Sequence, residues 1–139
     1  MREAVIVSAV RTAIGRQGGA LASIPAHVFG AEVIKEALCR AKVTADLVDD
    51  VILGNVLSGG GNIARLTALQ TGLFPGMPGL TVDRQCGSGI NAINLAAQAL
   101  FQLWSWICRS SGAELRVLRL SPFHAHRASA RIFSYLTGR

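Results

Sequence analysis

The chain has 139 residues, half of them apolar and only 16% charged, a balance suited to one buried α/β core and unlike that of a disordered segment. Its formal charge of +6 is unevenly placed, with eight basic and seven acidic side chains up to Leu100, then six arginines against Glu114 alone from Phe101 onward, so the excess says nothing about the partners of the earlier part. Three widely spaced cysteines, Cys39, Cys86 and Cys108, without a Cys-x-x-Cys pair, argue against a disulfide framework or a structural zinc site, and no apolar run reaches bilayer length.

Arg2 and Glu3 precede the short run Ala4-Val5-Ile6-Val7, and charge returns at Arg11. That run is too short for a signal peptide, so a cytoplasmic protein is expected. Ala4 to Ala9 reads as a buried strand and the glycine-rich stretch from Arg11 to Gly19 as a loop. Pro25 suits the first turn of a helix, with Ser23 as its cap. Val28, Ala31, Ile34, Ala37 and Leu38 then recur at helical spacing, with Glu32, Lys35 and Glu36 on the opposite face. Cys39 is assigned to the apolar side of this helix, where packing would protect it.

Thr44 to Asp46 suits a short helix, and Val51-Ile52-Leu53 a second buried strand. Ser58-Gly59-Gly60-Gly61 reads as a turn; it lacks the Lys-Ser/Thr that a P-loop requires. Asn62 caps a further helix carrying Ile63, Leu66, Ala68 and Leu69, which Pro75 and Pro78 end. Leu80-Thr81-Val82 forms a third strand and leads into Cys86-Gly87-Ser88-Gly89, followed by a helix from Ile90 to Leu100. Alternating strands and helices predict a largely parallel sheet covered by helices.

The chemistry concentrates at Cys86. A thiol attacks as its thiolate, and a helix N-terminus offers free N–H groups and the positive end of the dipole, which favour an anion there. Gly87 and Gly89 flank Ser88 without side chains, permitting a sharp turn and a close approach of substrate to backbone. The N–H of Cys86 is itself placed to donate to an oxyanion. A second reading stands beside this one: a cysteine is commonly a small buried apolar residue.

Three segments resemble thiolases, in that family's order. Glu3 to Thr12 (Glu-Ala-Val-Ile-Val-Ser-Ala-Val-Arg-Thr) is similar to their opening strand and loop. Gly54-Asn55-Val56-Leu57 with Asn62-Ile63-Ala64-Arg65 is similar to their next strand and helix. Thr81 to Gly89 (Thr-Val-Asp-Arg-Gln-Cys-Gly-Ser-Gly) is similar to their nucleophile segment. Ala13 and Ile63 stand where prolines are common. The resemblance implies part of the N-terminal half of a thiolase-like α/β fold, a mixed sheet covered by helices, over residues 3–100. It implies an acyl-CoA acyltransferase in which Cys86 is the acyl-thioester nucleophile. The acyl group would pass to the enolate of a second acyl-CoA in synthesis, or to coenzyme A in thiolysis of a 3-ketoacyl chain. Coenzyme A thioesters are the implied substrates and a homo-oligomer the implied assembly, with no tightly bound cofactor and no metal, nucleic-acid or membrane partner.

After Leu100 the pattern departs. Trp104 and Trp106 appear together, and arginine replaces lysine. Leu115 to Leu120 alternates in the manner of a strand. Thiolases use a histidine to activate the nucleophile and a second cysteine as acid/base, both in the later part of a longer chain. Cys108 lacks the flanking glycines of that cysteine, and His124 and His126 lack the His-Pro-x-Gly setting. The expectation is a truncated thiolase with a divergent basic tail over residues 101–139 and no turnover by itself. The alternative is a non-enzymatic remnant that only associates with other subunits. We attach to the break the hypothesis of a shifted reading frame: one codon choice for Leu103 to Arg109, read one base later, spells Cys-Gly-Ala-Gly-Tyr-Val-Ala, resembling the strand that thiolases carry next. His27 reads as a boundary residue of its helix. Asn62 and Arg65 read as local capping and packing groups. The pair His124 and His126 is a poor metal site without a third ligand.

Overall fold

The computed structural model describes residues 4–107 and 129–131. In chain order they form strand β1 (Ala4–Ile6), helix α1 (Ala26–Ala41), a 3-10 turn (Ala45–Leu47), strand β2 (Val51–Gly54), helix α2 (Ile63–Thr71), strand β3 (Gly79–Val82), helix α3 (Ser88–Ile107) and strand β4 (Ser129–Arg131). Strands β2 and β3 pair in parallel, Val51 beside Gly79 and Gly54 beside Val82, and α2 forms the crossover between them. A second parallel pair joins β1 to β4, Ala4 beside Ser129. The α/β class with parallel pairing and covering helices is therefore the one expected.

The core forms because the apolar stripes of α1 and α2 face one another and the β2 strand. Ile34 and Leu38 of α1, Val51 and Leu53 of β2, and Ile63, Ala64 and Ala68 of α2 join Val43, Val48, Leu73 and Met77 in one buried cluster. The alanines at 64 and 68 let α2 lie close to the sheet. Opposite the stripe of α1, Lys35 meets Glu32 at 2.8 Å and Arg40 meets Glu36 at 2.6 Å; such exposed pairs contribute little stability. Helix α3 packs against β2 and β3 and buries Ala92 and Ala96.

Several expectations are corrected. The first strand ends at Ile6 rather than Ala9. Pro25 itself occupies the cap position of α1, in extended backbone and with no side-chain cap bond, so Ser23 does not cap the helix. Helix α2 ends before either proline: Gly72 adopts φ +86° and the Leu73 N–H reaches back to the Ala68 carbonyl, the left-handed ending that glycine makes easy. Helix α3 starts at Ser88 and continues past Leu100 to Ile107, so the change in composition falls inside a helix. Cys39 is exposed. Gly30, Ala31, Val33, Ile34, Ala37 and Leu38 already form the buried stripe, and one further step of about 100° carries residue 39 out to solvent. The proposed strand at 115–120, together with Cys108, His124 and His126, lies outside the described residues.

Candidate functional site

Strand β3 delivers Val82, and α3 begins after five intervening residues, at Ser88. The turn between them is held by short bonds. The Asp83 carboxylate accepts the Gln85 N–H at 3.0 Å, the side-chain-to-backbone turn that aspartate favours. The Gly87 N–H donates to the Arg84 carbonyl at 3.0 Å, and the Ser88 N–H to the Gln85 carbonyl at 3.1 Å. Gln85 is thereby held at φ +49°, a left-handed conformation that a residue with a Cβ adopts only when its surroundings impose it. Cys86 follows at once, exposed to solvent, immediately before the first turn of α3, where the Asn91 N–H donates to the Gly87 carbonyl. A strand, a sharp left-handed turn and a helix N-terminus thus present one thiol at the surface, the arrangement that suits a nucleophile reached from outside. The alternative reading, a cysteine buried for packing, does not describe Cys86.

Three residues shape this turn that the sequence reading passed over. Ser88 is buried, 5% exposed; its Oγ accepts the Arg84 N–H at 2.8 Å and donates to the Gln85 carbonyl at 2.6 Å. Gln85 carries the left-handed conformation. Gly54, the last residue of β2, lies against the start of α3: a Cβ built there would be 2.6 Å from the Gly89 nitrogen and from the Ser88 carbonyl carbon. Only glycine allows that approach. The signal for Gly54 was present, since a glycine inside a strand often marks close backbone contact. None existed for the Ser88 bonds, which depend on the turn already being formed. Arg84 extends its guanidinium along α3 to Asn91 Oδ1 at 3.0 Å.

Asn62 and Arg65 hold β3 and the segment before it to α2. Asn62 Oδ1 accepts the Arg65 N–H at 3.1 Å as the helix cap and the Thr81 hydroxyl at 2.7 Å, while its amide donates to the Gly79 carbonyl at 2.6 Å. The Thr81 hydroxyl in turn accepts the Ala64 N–H at 3.0 Å. The Arg65 guanidinium donates to the Met77 and Pro75 carbonyls. Both are capping and packing groups, as read from the sequence. They position β3 and so the entry to the Cys86 turn. Asn55 closes the bend that leads into Ser58: its amide donates to the Ser58 carbonyl at 2.8 Å and its oxygen accepts the Ser58 N–H at 3.1 Å. His27 is a half-buried residue of α1. Among the described residues no group of three or more His, Cys, Asp or Glu is placed to hold a metal ion, and no helix is long and apolar enough to cross a membrane.

The comparisons with known proteins agree with this architecture. The model of the family described as Thiolase, N-terminal domain, matches residues 4–115. The acetyl-CoA acetyltransferase of Escherichia coli is 52% identical over 102 residues, covering 72% of this chain and 26% of that protein. The acetyl-CoA acetyltransferase of Cupriavidus necator is 50% identical with the same coverage, and the steroid 3-ketoacyl-CoA thiolase FadA6 of Mycobacterium tuberculosis is 48% identical over 103 residues, 72% of this chain and 25% of that protein. The chain spans about a quarter of the length of the curated relatives it matches. With its parallel β–α–β unit, its strand-to-helix cysteine turn and a family match over most of its length, the chain belongs to the thiolase family through that family's N-terminal domain.

Proposed function

We propose that Cys86 is the acyl-accepting nucleophile of an acetyl-CoA C-acetyltransferase or 3-ketoacyl-CoA thiolase, with coenzyme A thioesters as substrates. The observation that carries the reading is the exposed thiol at the N-terminus of α3, on a turn held left-handed at Gln85. In the first step the Cys86 thiolate attacks the thioester carbonyl carbon. The carbon–sulfur bond to coenzyme A breaks, coenzyme A takes up the proton that Cys86 gave to a base, and an acyl-cysteine remains. The Cys86 N–H supports the oxyanion of the tetrahedral intermediate. In synthesis the acyl group then passes to the enolate carbon of another acetyl-CoA, and the Cys86 thiolate leaves. In thiolysis the thiolate instead attacks the 3-keto carbon of a 3-ketoacyl-CoA, the C2–C3 bond breaks, the departing acetyl-CoA enolate takes up a proton, and the coenzyme A sulfur then takes the acyl group from Cys86.

The activating histidine and the second cysteine that the family resemblance implies have no matching motif in this sequence, so the step assigned to this chain by itself is acylation without turnover. Residues 101–139 form a divergent basic tail in this reading. A second reading is a non-enzymatic chain that only associates with thiolase-like subunits. It is favoured by exposed apolar side chains such as Leu57 and Ile90. Incubation with acetyl-CoA followed by peptide mass spectrometry tests the first: acetyl must appear on the Cys86 peptide and be absent from a Cys86→Ala variant. Thiolysis of acetoacetyl-CoA well above that variant would overturn the assignment of acylation without turnover. No acetylation of Cys86 leaves the associating chain as the reading.

A further inference from the structure

Ser88 has no place in acyl transfer as described above, yet it is the most constrained polar side chain around the thiol. It is buried, and its hydroxyl is committed on both sides, to the Arg84 N–H and to the Gln85 carbonyl. These two bonds span the one residue of the turn that holds a strained backbone, Gln85 at φ +49°. The Ser88 backbone lies so close to Gly54 of β2 that a Cβ added there would come within 2.6–2.8 Å of its carbonyl group and of the next nitrogen. The hydroxyl is therefore fixed relative to the sheet, and through it the turn is fixed as well.

We infer that Ser88 is the positioning residue of the Cys86 turn: its hydroxyl, seated against β2 at Gly54, clamps Gln85 in the left-handed conformation that presents the thiol at the head of α3. The inference rests on Cys86 being the reactive thiol. A left-handed residue with a side chain is disfavoured against extended or right-handed backbone. Without the hydroxyl, two bonds holding that state are lost and Gln85 relaxes. Relaxation at residue 85 swings Cys86 away from the helix N-terminus, where an anionic sulfur is favoured.

The test is timed alkylation of the full chain by iodoacetamide, read by peptide mass spectrometry, with the exposed Cys39 of α1 as an internal standard. Ser88→Ala is expected to lower the ratio of the Cys86 rate to the Cys39 rate by about fivefold or more, with the Cys39 rate unchanged. Adding Gln85→Gly is expected to restore the ratio to within about twofold, because glycine adopts the left-handed conformation without the clamp. A hydroxyl that acted only by filling space would not be rescued in that way. Should Ser88→Ala fail to fold, Gln85→Val tests the same device at an exposed position: a β-branched residue resists φ above zero, and the ratio is expected to fall with Ser88 intact. A ratio unmoved by Ser88→Ala or by Gln85→Val, or a loss that Gln85→Gly does not restore, overturns the inference. Iodoacetamide needs no coenzyme A, so failed acetylation with a Ser88-dependent ratio refutes only the proposed function. Normal acetylation with a Ser88-independent ratio refutes only the clamp.

Discussion

Replacing Gly54 by alanine adds one methyl group where β2 meets the start of α3. The added Cβ would lie 2.6 Å from the Gly89 nitrogen and the Ser88 carbonyl carbon and 2.8 Å from the Ser88 oxygen, whereas ordinary contact begins at 3.4 Å. Every atom it meets is backbone, so no side chain can rotate aside. Strand and helix must separate by most of an ångström. Overpacking of this kind costs about 1–3 kcal/mol, and the rigid surroundings place Gly54→Ala at the upper end. Alanine also restricts the unfolded chain, which offsets about 0.4–1 kcal/mol. The steric term wins, leaving a net destabilisation of roughly 2 kcal/mol, or a fall in Tm of roughly 5–10 °C for a domain of this size. Thermal unfolding followed by far-ultraviolet circular dichroism measures the stability. Iodoacetamide alkylation reads the position of the thiol, and the Cys86 rate should change more than the Cys39 rate because the shift is at the head of α3. A Tm within about 2 °C of the unaltered chain, with both alkylation rates unchanged, would refute the close approach of β2 to α3.

Asn62→Ala removes the cap of α2 together with the bonds to Gly79 and Thr81; a loss of about 1–2 kcal/mol in urea unfolding is expected, and an unchanged midpoint would contradict the network. Thr67→Val should stabilise the chain by about 1 kcal/mol, since Thr67 is wholly buried and its hydroxyl has no hydrogen-bond partner among the described residues; a lower urea midpoint would show that this hydroxyl is satisfied after all. Ile6, Ile14, Leu57, Phe74 and Ile90 are between 63% and 95% exposed, so the chain should bind 8-anilinonaphthalene-1-sulfonate and self-associate with concentration in sedimentation velocity. A monomer at all concentrations with no dye fluorescence would argue that these side chains are covered.

Much of the local architecture was legible from residue order because local physics dictates it. The apolar stripe of α1, the Asn62 cap, the strands at Val51 and Leu80, and a cysteine at a strand-to-helix junction all follow from periodicities and capping chemistry that act within a few residues. The misreadings arose where two local signals competed or a neighbour on another element decided. Pro75 and Pro78 looked like the stop of α2, but Gly72 came first in the chain and closed the helix left-handed. Cys39 adjoins Ala37 and Leu38 in sequence, yet α1 buries only the stripe that α2 and the β2 region contact, and the residue one step beyond faces water. Strand β4 carries no pattern of its own; its assignment comes from pairing with β1, more than a hundred residues earlier in the chain.

Residue type and order singled out Cys86: a thiol between a strand and a helix, followed by glycines at 87 and 89, is a setting that suits a nucleophile, beside the packing role open to any cysteine. What holds that thiol in place was decided by tertiary contact. Gln85 is held left-handed by bonds that cross it from Asp83, Ser88 and the Gly87 backbone, and Ser88 lies where Gly54, thirty-four residues earlier, brings β2 against the helix. Such restraints join groups distant in sequence, so no local pattern encodes them; they exist once β2 and β3 have paired and α3 has docked on both.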